Sequence, residues 1–305
     1  MEYEKYNKKI GKEVVSRASE IDDIEWFSTG IEPLDYVIGK GLPKGRMVSF
    51  KGPSSVTKTS LALAVIASAQ KQGIPCVFVD AELALSLHQA KMLGVDLEEL
   101  IVIRPDTAEE ALDALEEMIT EEMLVVVDSV AALSAKAEME ADMGSQGMAL
   151  QARIVTRALR KLSPLISRTN STIIWINQLR MNITGGQYSP YTETGGMALK
   201  FFTSVALEIK KKGDLKSSDK VVGIAVAIKA VKNKVGIPSR ECKLDFLFDS
   251  GFHGESNWFE IGVDKGLITM EGRTYYFKDQ KLDFGQQKAK QALTKEMVEE
   301  IKDHQ

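Results

Sequence analysis

The sequence predicts an α/β fold in which helices flank a mostly parallel, twisted sheet. From Phe27 onward, short apolar runs alternate with longer segments of helical periodicity, which is the pattern of successive βαβ units. Several of these apolar runs end in a carboxylate or amide side chain. Because open parallel sheets bind ligands at the carboxyl ends of their strands, this second observation also predicts where a functional site lies.

The core elements can be assigned in chain order. Apolar runs predict buried strands over residues 47–50, 76–79, 124–127, 172–176, 205–209 and 224–230. Helical periodicity predicts helices over residues 60–70, 108–120 and 150–166.

The chain is predicted to consist of three parts. Residues 1–20 place apolar side chains at helical spacing among lysines and glutamates, which predicts an arm over residues 1–27 ahead of the main domain. Residues 28–251 carry the alternating pattern and form the predicted core. Residues 252–305 alternate strand-like and turn-like pieces before a charged helix, which predicts a small C-terminal α+β domain.

Composition excludes several classes of protein. A chain of 305 residues with 44% hydrophobic and 27% charged residues is typical of a soluble globular protein and excludes collagen and fully disordered tails. The net charge of −4 means that a nucleic-acid partner must be held by a local basic patch. Cys76 and Cys242 lie in apolar stretches, as reduced buried thiols do, and the polar N-terminus is unlike a signal peptide. We therefore expect a cytoplasmic protein that neither spans a membrane nor is secreted.

A phosphate-binding loop is predicted between the first strand and the first helix of the core. The spacing from Gly52 to Lys58 and Thr59 is that of the G-x-x-x-x-G-K-[ST] pattern, in which the lysine reaches the β/γ-phosphates and the threonine supplies a magnesium ligand. On the motif alone, a strand-to-helix turn with an incidental lysine remains the alternative. The predicted nucleotide contacts are Gly52, Pro53, Ser54, Ser55, Val56, Thr57, Lys58, Thr59 and Ser60.

Thr57 departs from this pattern, because it stands where the second glycine belongs. A β-branched residue there restricts the loop and crowds the phosphates. We therefore expect Thr57→Gly to tighten nucleotide binding at a conformational cost of about 0.5–1 kcal/mol in stability.

Polar side chains follow three further apolar runs. LVVVDS ends in Asp128, in the form of a carboxylate that holds magnesium beside a phosphate loop. CVFVDAE ends in Asp80 and Glu82, which are placed to reach the γ-phosphate and polarise the attacking water, and IIWINQ ends in Asn177 and Gln178. An aspartate at a strand end is commonly only a helix cap, but together with the phosphate loop these residues favour a nucleotide site.

The chain resembles bacterial RecA-type recombinases, as a phage-encoded or divergent member. The segments that carry the resemblance are FSTGIEPLD, GLPKGRMV, the phosphate loop, FVDAELAL, VVVDSVAALSAKAEME, INQLRMNI, TGGMALKFF and KAVKNK. They run from about Phe27 to Gly251 and continue more weakly beyond. The resemblance implies a RecA-like P-loop ATPase core, an N-terminal oligomerisation arm, the cofactors ATP and Mg²⁺, and an ATP-dependent filament on single-stranded DNA that pairs it with homologous duplex.

The resemblance also implies roles for individual residues. It makes Lys58 and Thr59 the phosphate and magnesium contacts, Asp128 the magnesium-side carboxylate, Glu82 the water-activating base, Gln178 a γ-phosphate sensor, Lys232 and Lys234 contacts to the nucleotide of the adjacent subunit, and Phe201 an aromatic relay between subunits. In one departure, Gln89 replaces the tyrosine that the family stacks on adenine.

Two loops and one helix are the predicted DNA surface. The segment 181–196 has no apolar periodicity and is predicted as a long loop, with Tyr188 or Tyr191 placed to stack on bases. The resemblance makes residues 140–148 the first DNA loop and residues 181–196 the second. The predicted DNA contacts are Met148, Arg153, Arg160, Arg180, Met181, Asn182, Thr192, Thr194, Gly195 and Gly196.

The helix in this surface also has a simpler interpretation. Its predicted apolar stripe is Leu150, Ile154, Ala158, Leu162 and Leu165, and its basic residues away from that stripe are Arg153, Arg157, Arg160 and Lys161. Without the loops beside it, such a basic face is more often merely solvated.

Two other functions fit parts of the sequence. A filament-forming DNA-binding protein would result if Thr57 abolished useful hydrolysis, but Glu82 argues against this, because a structural protein has no need of a water-activating carboxylate. A helicase-type motor would share the phosphate loop, but the KAVKNK and TGGMALKFF segments and the glycine-rich second loop favour a recombinase.

Overall fold

The computed structural model describes residues 2–11, 14–133, 147–181, 191–193, 196–217, 220–254 and 257–304. The strands are β1 (Trp26–Phe27), β2 (Leu42–Pro43), β3 (Met47–Gly52), β4 (Cys76–Asp80), β5 (Leu100–Ile103), β6 (Leu124–Asp128), β7 (Thr172–Met181), β8 (Tyr191–Glu193), β9 (Val205–Ser217), β10 (Lys220–Asn233), β11 (Glu241–Leu247), β12 (Gly251–His253), β13 (Ile268–Glu271), β14 (Thr274–Phe277) and β15 (Gln280–Phe284). The helices are α1 (Glu2–Ile10), α2 (Glu32–Ile38), α3 (Lys58–Lys71), α4 (Leu87–Met92), α5 (Ala108–Met118), α6 (Gly147–Thr169), α7 (Gly196–Phe202), α8 (Trp258–Asp264), α9 (Gln286–Gln291) and α10 (Lys295–Asp303).

One ten-stranded sheet organises the core. Its strands follow the order β12-β11-β10-β9-β3-β7-β6-β4-β5, and β8 pairs with β7 outside this path. The pairs from β9 through β3, β7, β6 and β4 to β5 are parallel, whereas β10, β11 and β12 extend the sheet in antiparallel fashion. The predicted α/β class with a mostly parallel sheet is confirmed. All six predicted strands are present, and β5, β8, β11 and β12 are additional strands of this sheet.

Apolar side chains cover both faces of this sheet. Phe50 of β3 and Leu61 of α3 belong to one buried cluster, while Trp175 of β7 and Leu115 of α5 belong to the cluster on the opposite face. Because both faces are buried, the parallel strands are almost continuously apolar and do not alternate with polar residues. Polar residues therefore collect at the strand ends.

Helix α6 differs in detail from its prediction. It is longer at both ends than residues 150–166, and its fully buried positions include Val155, Leu159 and Ile166, whereas Ile154 and Leu165 are only half-buried. The helix packs against α5 as well as the sheet, so its buried stripe is broader than expected and centred one residue further along.

The C-terminal residues form a third apolar cluster. Strands β13, β14 and β15 make an antiparallel sheet, and Phe259, Phe277 and Ile301 are buried beside it. The boundary predicted after residue 251 falls inside β12, and the division into 1–27, 28–251 and 252–305 remains a prediction. Across the residue ranges given above, the helices are too short or too polar to cross a bilayer.

Candidate nucleotide site and DNA-facing elements

The phosphate loop joins the end of β3 to the start of α3. A Cβ atom at Gly52 would collide with the backbone carbonyl of Ile209, which explains the first glycine. Ser55 and Thr57 both have left-handed backbones, with φ values of 59° and 66°. The conformation of Thr57 explains why the motif has glycine here, because a β-branched residue is strained in this region by about 1–2 kcal/mol.

The geometry of Thr57 reverses one expectation from the sequence. Thr57→Gly should raise the free energy of unfolding by about 1 kcal/mol, because glycine adopts a positive φ without strain. We expect a melting temperature about 2 °C higher by calorimetry, together with tighter nucleotide binding.

Thr156 offers the matched control, since it lies within α6, where glycine is the poorer residue. Thr156→Gly should lower the free energy of unfolding by about 0.3–0.5 kcal/mol, because glycine has the lower helix propensity. A lower melting temperature for Thr57→Gly as well would contradict the strain at position 57.

Lys58 is buried inside the loop. Its Nζ donates hydrogen bonds to the carbonyls of Gly52, at 3.2 Å, and Pro53, at 2.6 Å. Burial lowers the pKa of the Lys58 ammonium, and the charges of Asp128 and Glu82 partly oppose that effect. The ammonium is therefore poorly solvated and held among loop carbonyls, an arrangement from which it can turn to an incoming phosphate.

Thr59 and Asp128 form an oxygen pair beside Lys58. Thr59 Oγ1 donates to Asp128 Oδ2 at 2.5 Å. Burial raises the pKa of Asp128 to about 6; the nearby charges of Glu82 and Asp80 also raise it, while the bond from Thr59 and the charge of Lys58 oppose the shift. A hydroxyl and a carboxylate at one point are ligands that suit Mg²⁺, so this pair fits the predicted ion.

Glu82 faces the same region from the loop after β4. Its Oε1 accepts a hydrogen bond from Gln178 Nε2 at 2.7 Å and another from Ser129 Oγ. The amides of Ala81 and Glu82 also donate to the carbonyl of Asp128, at 2.9 and 3.2 Å. The structure thus brings Glu82 and Gln178 to the strand end that carries Asp128.

Asp80 has a different position from the one expected. Its carboxylate is buried and accepts hydrogen bonds from the amides of Ala84 and Leu85, at 2.9 and 3.3 Å, and lies 3.6 Å from Arg104 Nε. The expectation that Asp80 faces the γ-phosphate is wrong, because these contacts turn it into the loop. It braces the turn on which Glu82 stands.

Strand β7 connects the nucleotide site to the predicted second DNA loop. Gln178 is in register with Gly52 of the phosphate loop, and the next residue, Leu179, pairs with Glu193 of β8. Gln178 is therefore the point at which β7 changes partner from the phosphate-loop strand to the hairpin. The prediction of a loop without regular structure over residues 181–196 is wrong for residues 191–193, because antiparallel pairing with β7 satisfies their backbone.

Comparison with known proteins bears on these observations. The sequence matches the family model of the RecA N-terminal domain over residues 1–253. The chain belongs to the RecA family. Protein RecA of Paracoccus denitrificans is 44% identical over 276 residues, which are 90% of this chain and 78% of the relative. Protein RecA of Helicobacter hepaticus is 42% identical over 303 residues (97% and 88%), and that of Helicobacter pylori is 44% identical over 296 residues (95% and 85%).

RecA membership confirms the predicted biochemical class. The chain is an ATP-dependent recombinase of DNA repair and recombination, and with that function it is a DNA-dependent ATPase that binds nucleotide and DNA. Neither the structural DNA-binding protein without hydrolysis nor the helicase-type motor is the class that this family defines. The roles of individual residues remain predictions.

The DNA residues predicted for this RecA chain fall mostly on defined elements. Met148 lies in the first turn of α6, Arg180 pairs with Thr192 and Met181 with Tyr191 across β7 and β8, and Gly196 begins α7. Asn182, Thr194, Gly195 and Tyr188 lie outside the described residues, as do residues 140–146 of the predicted first loop.

The exposed basic residues of helix α6 differ in their contacts. Arg153 and Arg160 are exposed and lie two turns apart on one face. Lys161 instead pairs with Glu116 of α5 at 2.7 Å, and Arg157 lines a groove against the same helix. Two of the four basic residues therefore have contacts on α5, and Arg153 and Arg160 remain the predicted DNA contacts.

Gln151 is a supporting residue that sequence reasoning missed. Its side chain is buried, and Nε2 donates to the carbonyls of Val130 and Leu133 at 3.0 and 2.7 Å. These bonds tie the segment after Asp128 to α6. A glutamine within an amphipathic helix gives no sequence signal for such a role.

Lys232 and Lys234, which are predicted to act on a neighbouring subunit, contact the C-terminal end of α7 in their own subunit. Lys232 Nζ donates to the carbonyl of Lys200, and Lys234 Nζ donates to that of Phe201 at 3.2 Å, at the C-terminal end of α7. Burial lowers the pKa of Lys232, and the neighbouring charges of Lys234 and Lys51 lower it further. These lysines help to line a cavity of about 510 Å³, beside which the Phe201 side chain is 66% exposed.

Gln89, at the position where the resemblance places the adenine-stacking tyrosine, lies against α3, the helix that follows the phosphate loop. Its Nε2 donates to Ser60 Oγ, in the first turn of α3, at 3.1 Å.

Proposed function

We propose that this chain forms a helical filament on single-stranded DNA, pairs it with homologous duplex, and promotes strand exchange under the control of Mg²⁺-dependent ATP hydrolysis. One observation supports this proposal above the others. Gln178 donates to Glu82, is in register with Gly52, and immediately precedes the strand segment that pairs with β8. A single residue therefore contacts the Glu82 carboxylate, pairs with the phosphate-loop strand β3, and adjoins the β7–β8 hairpin that we propose binds DNA.

In the nucleotide site, each side chain has a role that follows from its position. Thr59 and Asp128 would hold Mg²⁺, which when bound neutralises phosphate charge. The amides at the start of α3 and the Lys58 ammonium bind the phosphates. Glu82 accepts a proton from the attacking water, and Gln178 holds the carboxylate in place for this step.

On the DNA side, affinity comes from phosphate contacts and stacking. Arg153 and Arg160 offer two guanidinium groups on one face of α6, which suits a phosphate backbone. The hairpin of β7 and β8 supplies backbone amides and Tyr191. DNA that binds the hairpin moves the end of β7, and this movement changes the hold of Gln178 on Glu82. We place this activity in the cytoplasm, where DNA, ATP and a reducing environment suited to Cys76 and Cys242 coincide.

Glu82→Gln tests the assignment of the base. The amide keeps the shape of the side chain but cannot take a proton, so ATP and single-stranded DNA should bind as before while DNA-stimulated phosphate release falls about 100-fold. Electron microscopy of the same mixture should still show filaments.

Glu271→Gln, on the exposed edge of β13, makes the same chemical change away from the site and should leave the rate unaltered. Hydrolysis by Glu82→Gln at the parental rate would refute the assignment.

A further inference from the structure

Ser129 lies directly behind the nucleotide site and has no role in the mechanism so far. It follows Asp128 at the end of β6, and its side chain is fully buried at 0% exposure. Its Oγ donates a hydrogen bond to Glu82 Oε1. The same carboxylate oxygen accepts from Gln178 Nε2 at 2.7 Å, so two donors converge on one oxygen.

The backbone around Ser129 is fixed by the sheet. The amide of Val130 donates to Ile176 of β7 at 3.1 Å, and the carbonyl of Ser129 accepts from Ala132 at 3.0 Å. The preceding carbonyl, of Asp128, accepts from the amide of Glu82 itself at 3.2 Å. Two adjacent residues therefore hold the backbone and the side chain of Glu82.

The two donors to Glu82 differ in their surroundings. Gln178 is half-buried and lies where β7 leaves the sheet for the hairpin, whereas Ser129 is enclosed in the core. A movement of the hairpin would reach Gln178 first, because Gln178 adjoins the β8 pairing and Ser129 lies in the core. Glu82 stands on an exposed loop, and a glutamate there samples several rotamers unless it is held.

We propose that Ser129 is a positioning residue for ATP hydrolysis. Its hydroxyl anchors Oε1 of Glu82, so that Oε2 is directed towards the attacking water whether or not DNA is bound. This inference rests on the proposed role of Glu82 as the base. Since displacements of about 1 Å at a reacting group can lower a rate about 100-fold, loss of one of two anchors should have a measurable effect.

Ser129→Ala should lower kcat about tenfold, with the KM for ATP and the affinity for single-stranded DNA changed less than about twofold. Ser171→Ala is the matched control, because Ser171 is equally buried and its Oγ donates to the carbonyl of Glu121 at 2.8 Å, away from the site. It should lose similar thermal stability and retain kcat. An unchanged kcat in Ser129→Ala would overturn the inference.

Ser129→Thr and Ser129→Val separate the loss of the hydroxyl from a change in side-chain volume. The two variants have nearly the same shape and differ in the hydroxyl, so Thr should retain at least about five times the kcat of Val. Equal rates for the pair would overturn the inference.

A double-mutant cycle separates positioning from a general structural effect. In a Glu82→Ala background the hydroxyl has no carboxylate to hold, so adding Ser129→Ala should leave the residual rate unchanged. A further tenfold loss there would assign Ser129 a structural role and overturn the inference. Should Glu82→Ala itself hydrolyse ATP at the parental rate, the assignment of the base fails, and that result is read from the single variant alone.

Discussion

Lys58→Ala should lower ATP turnover by about 10³-fold or more. In the proposed mechanism, the buried ammonium of Lys58 lies where negative charge develops on the transferred phosphoryl group, and removal of one such donor costs about 10²–10³-fold even without a full charge. Burial lowers the pKa of this ammonium, and its removal also leaves the carbonyls of Gly52 and Pro53 without their donor, so thermal unfolding is measured alongside the rate. A folded variant with this loss of activity has lost chemistry and not its fold.

The measurement is phosphate release with saturating single-stranded DNA, accompanied by nucleotide binding and thermal unfolding. Lys71→Ala removes the same charge from the exposed far end of the same helix and should keep the parental rate. A turnover by Lys58→Ala within about tenfold of the parental value would show that the phosphates are held elsewhere.

Replacing both Lys232 and Lys234 with alanine should lower DNA-stimulated hydrolysis by about 10³-fold, provided that these residues act on the neighbouring subunit as an arginine finger does. In their own subunit, the ammonium groups bind the last carbonyls of α7. Helix carbonyls carry only partial negative charge, so the triphosphate of an adjacent subunit is the stronger partner. Hydrolysis then requires assembly.

A mixing experiment distinguishes this role from a local one. Lys58→Ala subunits cannot hydrolyse their own ATP but still carry Lys232 and Lys234. Lys232→Ala/Lys234→Ala subunits bind ATP but cannot contact the ATP of a neighbouring subunit. On single-stranded DNA the mixture should regain part of the activity that each variant lacks alone.

The control variant is Lys212→Ala/Lys216→Ala, which removes two exposed lysines from the adjacent strand β9 and should stay active. If the Lys232→Ala/Lys234→Ala variant alone is fully active, the two lysines only cap α7.

The fold class and most of the nucleotide site were predictable because they depend on local patterns. Apolar runs that end in polar residues locate Asp128, Glu82 and Gln178 at one edge of a parallel sheet whatever the tertiary details. The choice between Asp80 and Glu82 was not predictable in this way. It depends on Arg104 and on a turn whose amides capture one carboxylate and leave the other exposed.

Backbone conformation and long-range contacts could not be predicted from the order of apolar and polar residues. A threonine rarely has a positive φ, so only the closed loop shows that Thr57 accepts this strain. A serine after Asp128 is equally typical of a helix cap, and nothing in its neighbours indicates that it reaches Glu82. The direction of Lys161 depends on Glu116, whose position follows from the packing of α5 on α6.

The continuity of β7 has a mechanical consequence. Its ten residues contain no glycine or proline, and the strand spans about 30 Å at about 3.3 Å per residue. One end is clamped between β3 and β6, and the other extends past Gln178 into the hairpin. A strand without glycine or proline bends little, so a displacement of its hairpin end should also displace Gln178 at the edge of the sheet. If the hairpin binds DNA and Glu82 is the base, as proposed, tension in the DNA strand should reach Gln178 and Glu82 through β7 and change the rate of ATP turnover.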